Sequence, residues 1–189
     1  TVFDTEGNSA TAPATVTVTV TAPGLVFGPA AGALAGGTAG AAYSETVTVS
    51  GGTAPYGFGA SGLPAGLSID PATGVISGTP GEFGSFTVVV TVTDALGAPG
   101  TVTYTLAVAE PAPLAAAVNA TVAANSAANA ISASLSGGTA TSVAIGTMPA
   151  HGTVTVSGLG FSYTPTAGYS GSDSFTYTAS NATGTSAPA

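Results

Sequence analysis

Thr15-Val16-Thr17-Val18-Thr19-Val20-Thr21 alternates β-branched polar and β-branched apolar residues without a break. That is the period of a strand with one buried face. Val16, Val18 and Val20 point one way and the four threonines the other. The residues before this stretch offer it no good partner, and a repeat accounts for it. Thr11-Ala12-Pro13-Ala14 leads into the strand, and Ser186-Ala187-Pro188-Ala189 returns 175 residues later. Residues 178–189 resemble residues 1–14 with two fewer residues in the turn. The expectation is one period of a longer repeating assembly, cut or permuted inside a domain. Residues 15–21 then complete the second domain of another copy.

The composition is all-β. With 28 Gly and 13 Pro in 189 residues, nearly every window that could run as a helix is interrupted. Lys and Arg are absent, against 8 Asp plus Glu, so the net charge is −8. A chain without cations cannot neutralise phosphates, which excludes nucleic acid as a partner. Attraction to an anionic membrane surface fails on the same ground. No Lys or Arg salt bridge and no Lys–Asn crosslink can form. Without Cys there is neither a disulfide nor a thiolate metal site. Apolar runs such as Val88-Val89-Val90 are far too short to span a bilayer. Stability therefore rests on apolar burial and backbone ladders.

Turn chemistry divides the chain into residues 1–22, 23–110 and 111–189. In the first part Asp4 to Ser9 reads as a turn between a strand tail and the final strand. In the second, 43–49 reads as one strand with Tyr43, Glu45, Val47 and Val49 on one face and Glu45 at a rim. Asp70-Pro71-Ala72-Thr73-Gly74 turns a hairpin. A long strand over 86–93 returns through Asp94-Ala95-Leu96-Gly97 as 101–108. Glu110-Pro111-Ala112-Pro113 is a short, stiff linker. In the third part the strand expectations are 114–122, 131–135, 140–145, 153–157, 160–164 and 174–179.

Three motifs in order carry a resemblance. Gly51-Gly52-Thr53-Ala54-Pro55-Tyr56, then Leu63-Pro64-Ala65-Gly66-Leu67-Ser68-Ile69-Asp70, then Thr73-Gly74-Val75-Ile76-Ser77-Gly78-Thr79-Pro80 resemble an immunoglobulin-like domain of bacterial surface proteins. Further on, Pro149-Ala150-His151-Gly152-Thr153-Val154 is followed by Tyr163-Thr164-Pro165 and by Gly168-Tyr169-Ser170-Gly171-Ser172-Asp173-Ser174-Phe175-Thr176-Tyr177-Thr178. This resembles a second bacterial Ig-like family, frequent in giant surface adhesins. The resemblances imply two tandem Ig-like or cadherin-like β-sandwiches. Members of the second family normally continue with an acidic turn and a last Thr/Val strand. Here Ser180-Asn181 replace the acids, and residues 1–22 supply the ending.

Chemistry is sparse. The single His151 rules out a His–His metal pair within the chain, and no Gly-x-Ser-x-Gly elbow supports a serine nucleophile. It reads as a turn residue, and the scattered acids make no carboxylate pair for glycoside hydrolysis. The plausible ion is Ca²⁺, with Asp4, Glu6 and Asp94 as its candidate ligands, and one or two carboxylates would hold it weakly. The expectation is a non-enzymatic structural unit of an extracellular or cell-surface filament or stalk. Its partners are copies of itself, joined head-to-tail by donor-strand complementation or as covalent repeats. The alternative is an adhesin module that binds carbohydrate or a host or cell-surface protein at a fibre tip. In that case the tyrosines Tyr56, Tyr163, Tyr169 and Tyr177 would have to form an exposed platform, although they sit where core or corner residues belong.

Because trypsin has no cleavage site, the chain is expected to survive it even in urea. Gel electrophoresis of urea-treated protein after digestion should show one undiminished band, and discrete fragments would contradict the reading.

Overall fold

Alternation of small and β-branched residues with glycine-rich turns builds strands and, among the described residues, no helix. The computed structural model describes residues 24–189, together with the backbone of two short strands, Val2–Phe3 and Ser9–Ala10. Those two pair antiparallel, Val2 with Ala10 and Phe3 with Ser9, so Ser9, expected in the turn, belongs to a strand. Asp4, Glu6 and the strand 15–21 lie outside the described residues.

The first domain has two faces. Gly84–Thr93 and Pro99–Ala109 form its longest ladder, ten antiparallel pairs from Gly84–Val108 to Thr93–Pro99. Gly57–Ser61 pairs with Gly84–Thr93 on one side. On the other side, Gly32–Ala33 and Gly37–Thr38 pair parallel with Pro99–Ala109. The opposing face holds Tyr43–Thr46, Val75–Gly78 and Leu67–Ile69 in one sheet and Val26–Gly28 with Thr48–Ser50 in another. Alternation along Pro99–Ala109 puts Val102, Tyr104, Leu106 and Val108 inside. They meet Val47, Ile76, Val88 and Val90 in one core.

The expected hairpin at Asp70 is present. Ile69 faces Ile76, and the Asp70 carboxylate accepts the Ala72 and Thr73 N–H groups at 2.9 and 2.8 Å. Gly74 closes it with φ +72°, where a Cβ would lie 2.3 Å from the Val47 carbonyl oxygen. The expected single strand 43–49 is instead two. Tyr43–Thr46 pairs with Val75–Gly78, whereas Thr48–Ser50 pairs with Val26–Gly28. Val47, fully buried, donates its N–H to the Gly74 carbonyl at the switch. The side-chain parity runs on through the break, with Tyr43 and Val47 buried and Glu45 and Val49 half-buried.

The second domain repeats this wiring. Asn129–Ser132 pairs with Gly160–Pro165, while Ser134–Gly137 pairs with Pro113–Ala116. The expected strand 131–135 is therefore also split between sheets, at Ala133. Gly152–Ser157 and Gly160–Pro165 form a hairpin, and Ser142–Ile145 pairs with Tyr177–Ser180. Its core holds Val143, Val154, Phe161, Tyr163, Tyr177 and Ala179. Two expectations shorten: 114–122 is a strand only over Pro113–Ala116, and 174–179 only over Tyr177–Ser180. Glu110 and Pro111 are tied into this domain. The Glu110 carboxylate accepts the Thr139 N–H at 2.6 Å, and the Pro111 carbonyl accepts from the Asn181 side chain at 2.8 Å.

Leu106 is wholly enclosed in the first core. Leu106→Ala should lower that domain's unfolding free energy by about 2–5 kcal/mol. Calorimetry should show one transition shifted down and the second domain's transition in place.

Candidate functional site

The two domains share a strand order, and the comparison exposes one difference. In the first, Pro99–Ala109 lies between Gly84–Thr93, to which it is antiparallel, and Gly32–Ala33 with Gly37–Thr38, to which it is parallel. The corresponding place in the second domain is a groove of about 730 Å³. Its walls are residues 117–124 on one side and 169–175 on the other. Neither wall belongs to a strand pair among the described residues. The floor carries Phe161, Tyr163, Phe175 and Tyr177. Phe161 meets Phe175 edge-on at 5.2 Å and lies 5.0 Å from the tilted ring of Tyr177. The Tyr177 hydroxyl donates to the Ala116 carbonyl at 2.6 Å and accepts the Ser134 N–H at 3.0 Å, which fixes the floor to the nearer end of the first wall.

Residues 186–189 enter the mouth of this groove. The chain turns at Asn181, whose side-chain oxygen accepts the Thr183 and Gly184 N–H groups. Ser180 then bridges Thr185 antiparallel. Ser186 donates its N–H to the Ala179 carbonyl at 2.8 Å. Three residues further, Ala189 and Tyr177 exchange both backbone hydrogen bonds, each at 3.0 Å. Three steps on one side thus match two on the other, which is a β-bulge. The bulge is satisfied internally, because the buried Ser186 hydroxyl accepts the Ala179 N–H at 3.0 Å and donates to the Ala187 carbonyl at 2.8 Å. Its effect is to place Ala189 opposite the inward-facing Tyr177, half-buried at the groove's mouth.

The sequence matches the family "Putative Ig domain" over residues 26–109 and the family "Bacterial Ig domain" over residues 110–189. The chain is a tandem of bacterial Ig-like domains. Drosophila N-cadherin EC1–4 has the same fold at 11% identity, over 87% of this chain and 48% of that one, with a TM-score of 0.55. Protocadherin Gamma B2 extracellular domains 3–6 match at 10% identity over 84% and 43%, with a TM-score of 0.51. A "putative alpha-galactosidase/melibiase" from Bacteroides fragilis is 26% identical over 44% of this chain, at a TM-score of 0.40, and only 17% of that protein is covered. The Ig-like tandem therefore spans less than half the length of each. No curated protein matches the sequence.

Of the described acids, Asp70, Glu82, Asp94, Glu110 and Asp173 sit at loops, whereas Glu45 lies in the strand Tyr43–Thr46. Asp173 stands beside the groove and gathers four donors. The N–H groups of Ala150 and His151 reach it at 2.9 Å, that of Ser174 at 3.0 Å and the Tyr163 hydroxyl at 2.8 Å. Burial pushes its carboxyl up, but the Tyr163 hydroxyl and the three N–H groups outweigh it and hold the carboxyl below the usual range. In turn, burial and the bond to Asp173 push the Tyr163 hydroxyl up to about 12. His151 stacks on Tyr169 at 4.1 Å, with the rings 11° from parallel. Asp94, the Ca²⁺ candidate within the described residues, accepts N–H groups from Thr53, Leu96 and Ala98 at 2.9, 3.0 and 2.8 Å. No group of three His, Cys, Asp or Glu side chains comes together among the described residues. The Tyr56 hydroxyl bonds the Gly51 carbonyl at 2.6 Å, while Tyr163 and Tyr177 are buried. Two features escaped the sequence: the unpaired wall 117–124, whose alternation reads as strand, and the Asp173 hub, whose partners lie 22 and 23 residues away.

Tyr163 is ordinary in the unfolded chain and raised when folded, so the folded state keeps its proton longer. The stability it confers is complete below pH 10 and is lost as pH rises toward 12. Calorimetry across that range should show the second domain's transition falling. Tyr163→Phe should flatten the slope, and an unchanged slope would refute the assignment.

Proposed function

We propose that this chain is the structural repeat unit of an extracellular bacterial filament or surface stalk. The observation that carries the reading is the contrast between two domains of one wiring: the strand position that Pro99–Ala109 fills in the first is a groove in the second among the described residues. A unit of this kind is extended by adding further units. The repeat of Thr11-Ala12-Pro13-Ala14 as Ser186-Ala187-Pro188-Ala189 supports the same unit length. The composition suits exposure outside a cell: there is no trypsin site and no thiol to oxidise, and the net charge of −8 keeps neighbouring fibres apart. Among the described residues no helix is long and apolar enough to cross a membrane, which says nothing of spanning strands.

A second reading, an adhesin module for carbohydrate, draws on the His151–Tyr169 stack, with Tyr169 at the groove's rim. It has less support, because three of the floor rings are held in core contacts and Tyr163 is committed to Asp173.

Antibodies to the 189-residue chain, applied to cells that produce it, test the reading directly. Electron microscopy should show label at regular intervals along surface fibres, and external proteinase K should remove it. Label confined inside the cell envelope would overturn it.

A further inference from the structure

We propose that the groove accepts residues 15–21 of a second copy of this unit in a single register, with Val16 opposite Phe175, Val18 opposite Asp173 and Val20 opposite Gly171. The inference rests on the structural-repeat reading above and names the partner of its open edge.

Parity selects the register. Ala14 and Ala189 end the same motif, and Ala189 faces inward opposite Tyr177 through a reciprocal pair of backbone bonds. Every second residue beyond that position also faces inward. In the incoming strand these are Val16, Val18 and Val20, and the four threonines face solvent. A slip of one residue would put threonine hydroxyls against Phe161, Phe175 and Tyr177. The bulge at Ser186 is what makes the parity agree, since an unbulged turn would present the opposite face.

The edges select the polarity. A strand continuing the direction of residues 186–189 runs antiparallel to residues 171–176 and parallel to residues 117–124. That is how Pro99–Ala109 lies between its neighbours in the first domain, with alternate apolar residues buried. Thr15-Val16-Thr17-Val18-Thr19-Val20-Thr21 has the same alternation as Thr101-Val102-Thr103-Tyr104-Thr105-Leu106.

Chain geometry selects a second copy over self-insertion. A Cβ on Gly100 would lie 2.8 Å from the Leu25 side chain, so Leu25 sits at the start of Pro99–Ala109. Ala109, which leads into the second domain, lies about 30 Å further along that strand at roughly 3.3 Å per residue. Residues 22–24 span at most about 11 Å. A strand tethered at Leu25 is therefore presented at the end of the first domain away from its own groove.

The chain has no cysteine, so a disulfide reports one contact cleanly. Thr17 and Ser174 form a non-hydrogen-bonded, solvent-facing pair in this register, about 4.5 Å apart at Cα and within disulfide reach. The full 189-residue chain carrying Thr17→Cys and Ser174→Cys should form a ladder of multimers on a non-reducing gel after mild oxidation. Thr17→Cys with Ser172→Cys, displaced by two residues, should form roughly tenfold less, because its Cα atoms lie beyond disulfide range. Light scattering of the otherwise native chain carrying Val18→Asp should show the monomer mass with an unchanged β-sheet circular dichroism spectrum. An internally bridged monomer would overturn donation by a second copy, and equal yields from both pairs would overturn the register. No cross-link from a folded chain, or suppression of the ladder by a soluble β-glucan hexamer, would overturn the strand as occupant. If the ladder fails while surface fibres still label with antibody, this inference falls and the structural-repeat reading stands.

Discussion

A protein with no Lys and no Arg has to satisfy its carboxylates some other way, and this one uses backbone N–H groups. Asp70 holds the N–H groups of Ala72 and Thr73 within its own turn. Asp94 holds those of Leu96 and Ala98, and also Thr53 from a distant loop. Glu110 takes the Thr139 N–H, and Asp173 takes those of Ala150, His151 and Ser174. Charge-assisted bonds of this kind are stronger than neutral ones, and each ties loop backbone that would otherwise hydrogen-bond to water. The carboxyls of Asp70, Asp94, Glu110 and Asp173 are all held below their usual range. These four carboxylates thus hold loop backbone, and the described acids do not cluster. This accounts for the role of Asp94 in the fold: its oxygens are occupied by amides.

The strand faces were legible in the sequence because side-chain parity is local. Tyr43, Val47 and Val49 share a face as the alternation requires, and the Asp70–Gly74 turn announces its own hairpin. Backbone partners were not legible to the same degree. At Val47 and at Ala133 the chain passes from one sheet to another while the alternation continues, because the period of two encodes which face is buried and says nothing about which neighbour is bonded. The wall 117–124 has the residues of a strand and no strand pairing among the described residues. There the sequence supplies propensity, and pairing requires a partner. The motif that ends at Ala14 and returns at Ala189 is legible directly. The Ser186 bulge that sets the parity of Ala189 depends on a side-chain hydroxyl bonding its own backbone, which leaves no periodic signal.

The shared switch at Val47 and Ala133 gives the two domains the same order of contacts. Each first half-strand meets the strand after the central hairpin turn, Val75–Gly78 or Gly160–Pro165. Each second half-strand meets the opening strand of its domain, Val26–Gly28 or Pro113–Ala116. Because the wiring matches, the first domain serves as an internal standard for the second. In that standard the position between the parallel short strands and the long antiparallel one is filled by the most alternating segment of the domain. The groove of the second domain lies at the same place, and on the proposed reading it is a strand position and not a cleft shaped for a small ligand. Aromatic rings line its floor, and neither of its walls belongs to a strand pair among the described residues.

What a strand gains there has to exceed what it loses by being ordered. Three buried valines contribute roughly 1.5–3 kcal/mol each. Fixing the backbone of seven residues costs roughly 1–2 kcal/mol apiece. The two sums are of similar size, so the balance turns on how extended the strand already is and on the ladders it can join. Every position from Thr15 to Thr21 is β-branched, which restricts χ1 and favours the extended backbone before docking, and this lowers the ordering cost. A rigid acceptor lowers it again, and the aromatic contacts of Phe161 with Phe175 and Tyr177 hold the groove floor in place before any strand arrives. Pairing along both rims then satisfies amides that would otherwise face water or stay exposed as an edge. In the proposed joint the donor would lie at the start of one unit and the acceptor near the end of another, so the contact would be heterologous and a joined pair would still offer one donor and one acceptor. Such a contact closes into a ring only if its rotation happens to permit it, and otherwise it propagates as a fibre.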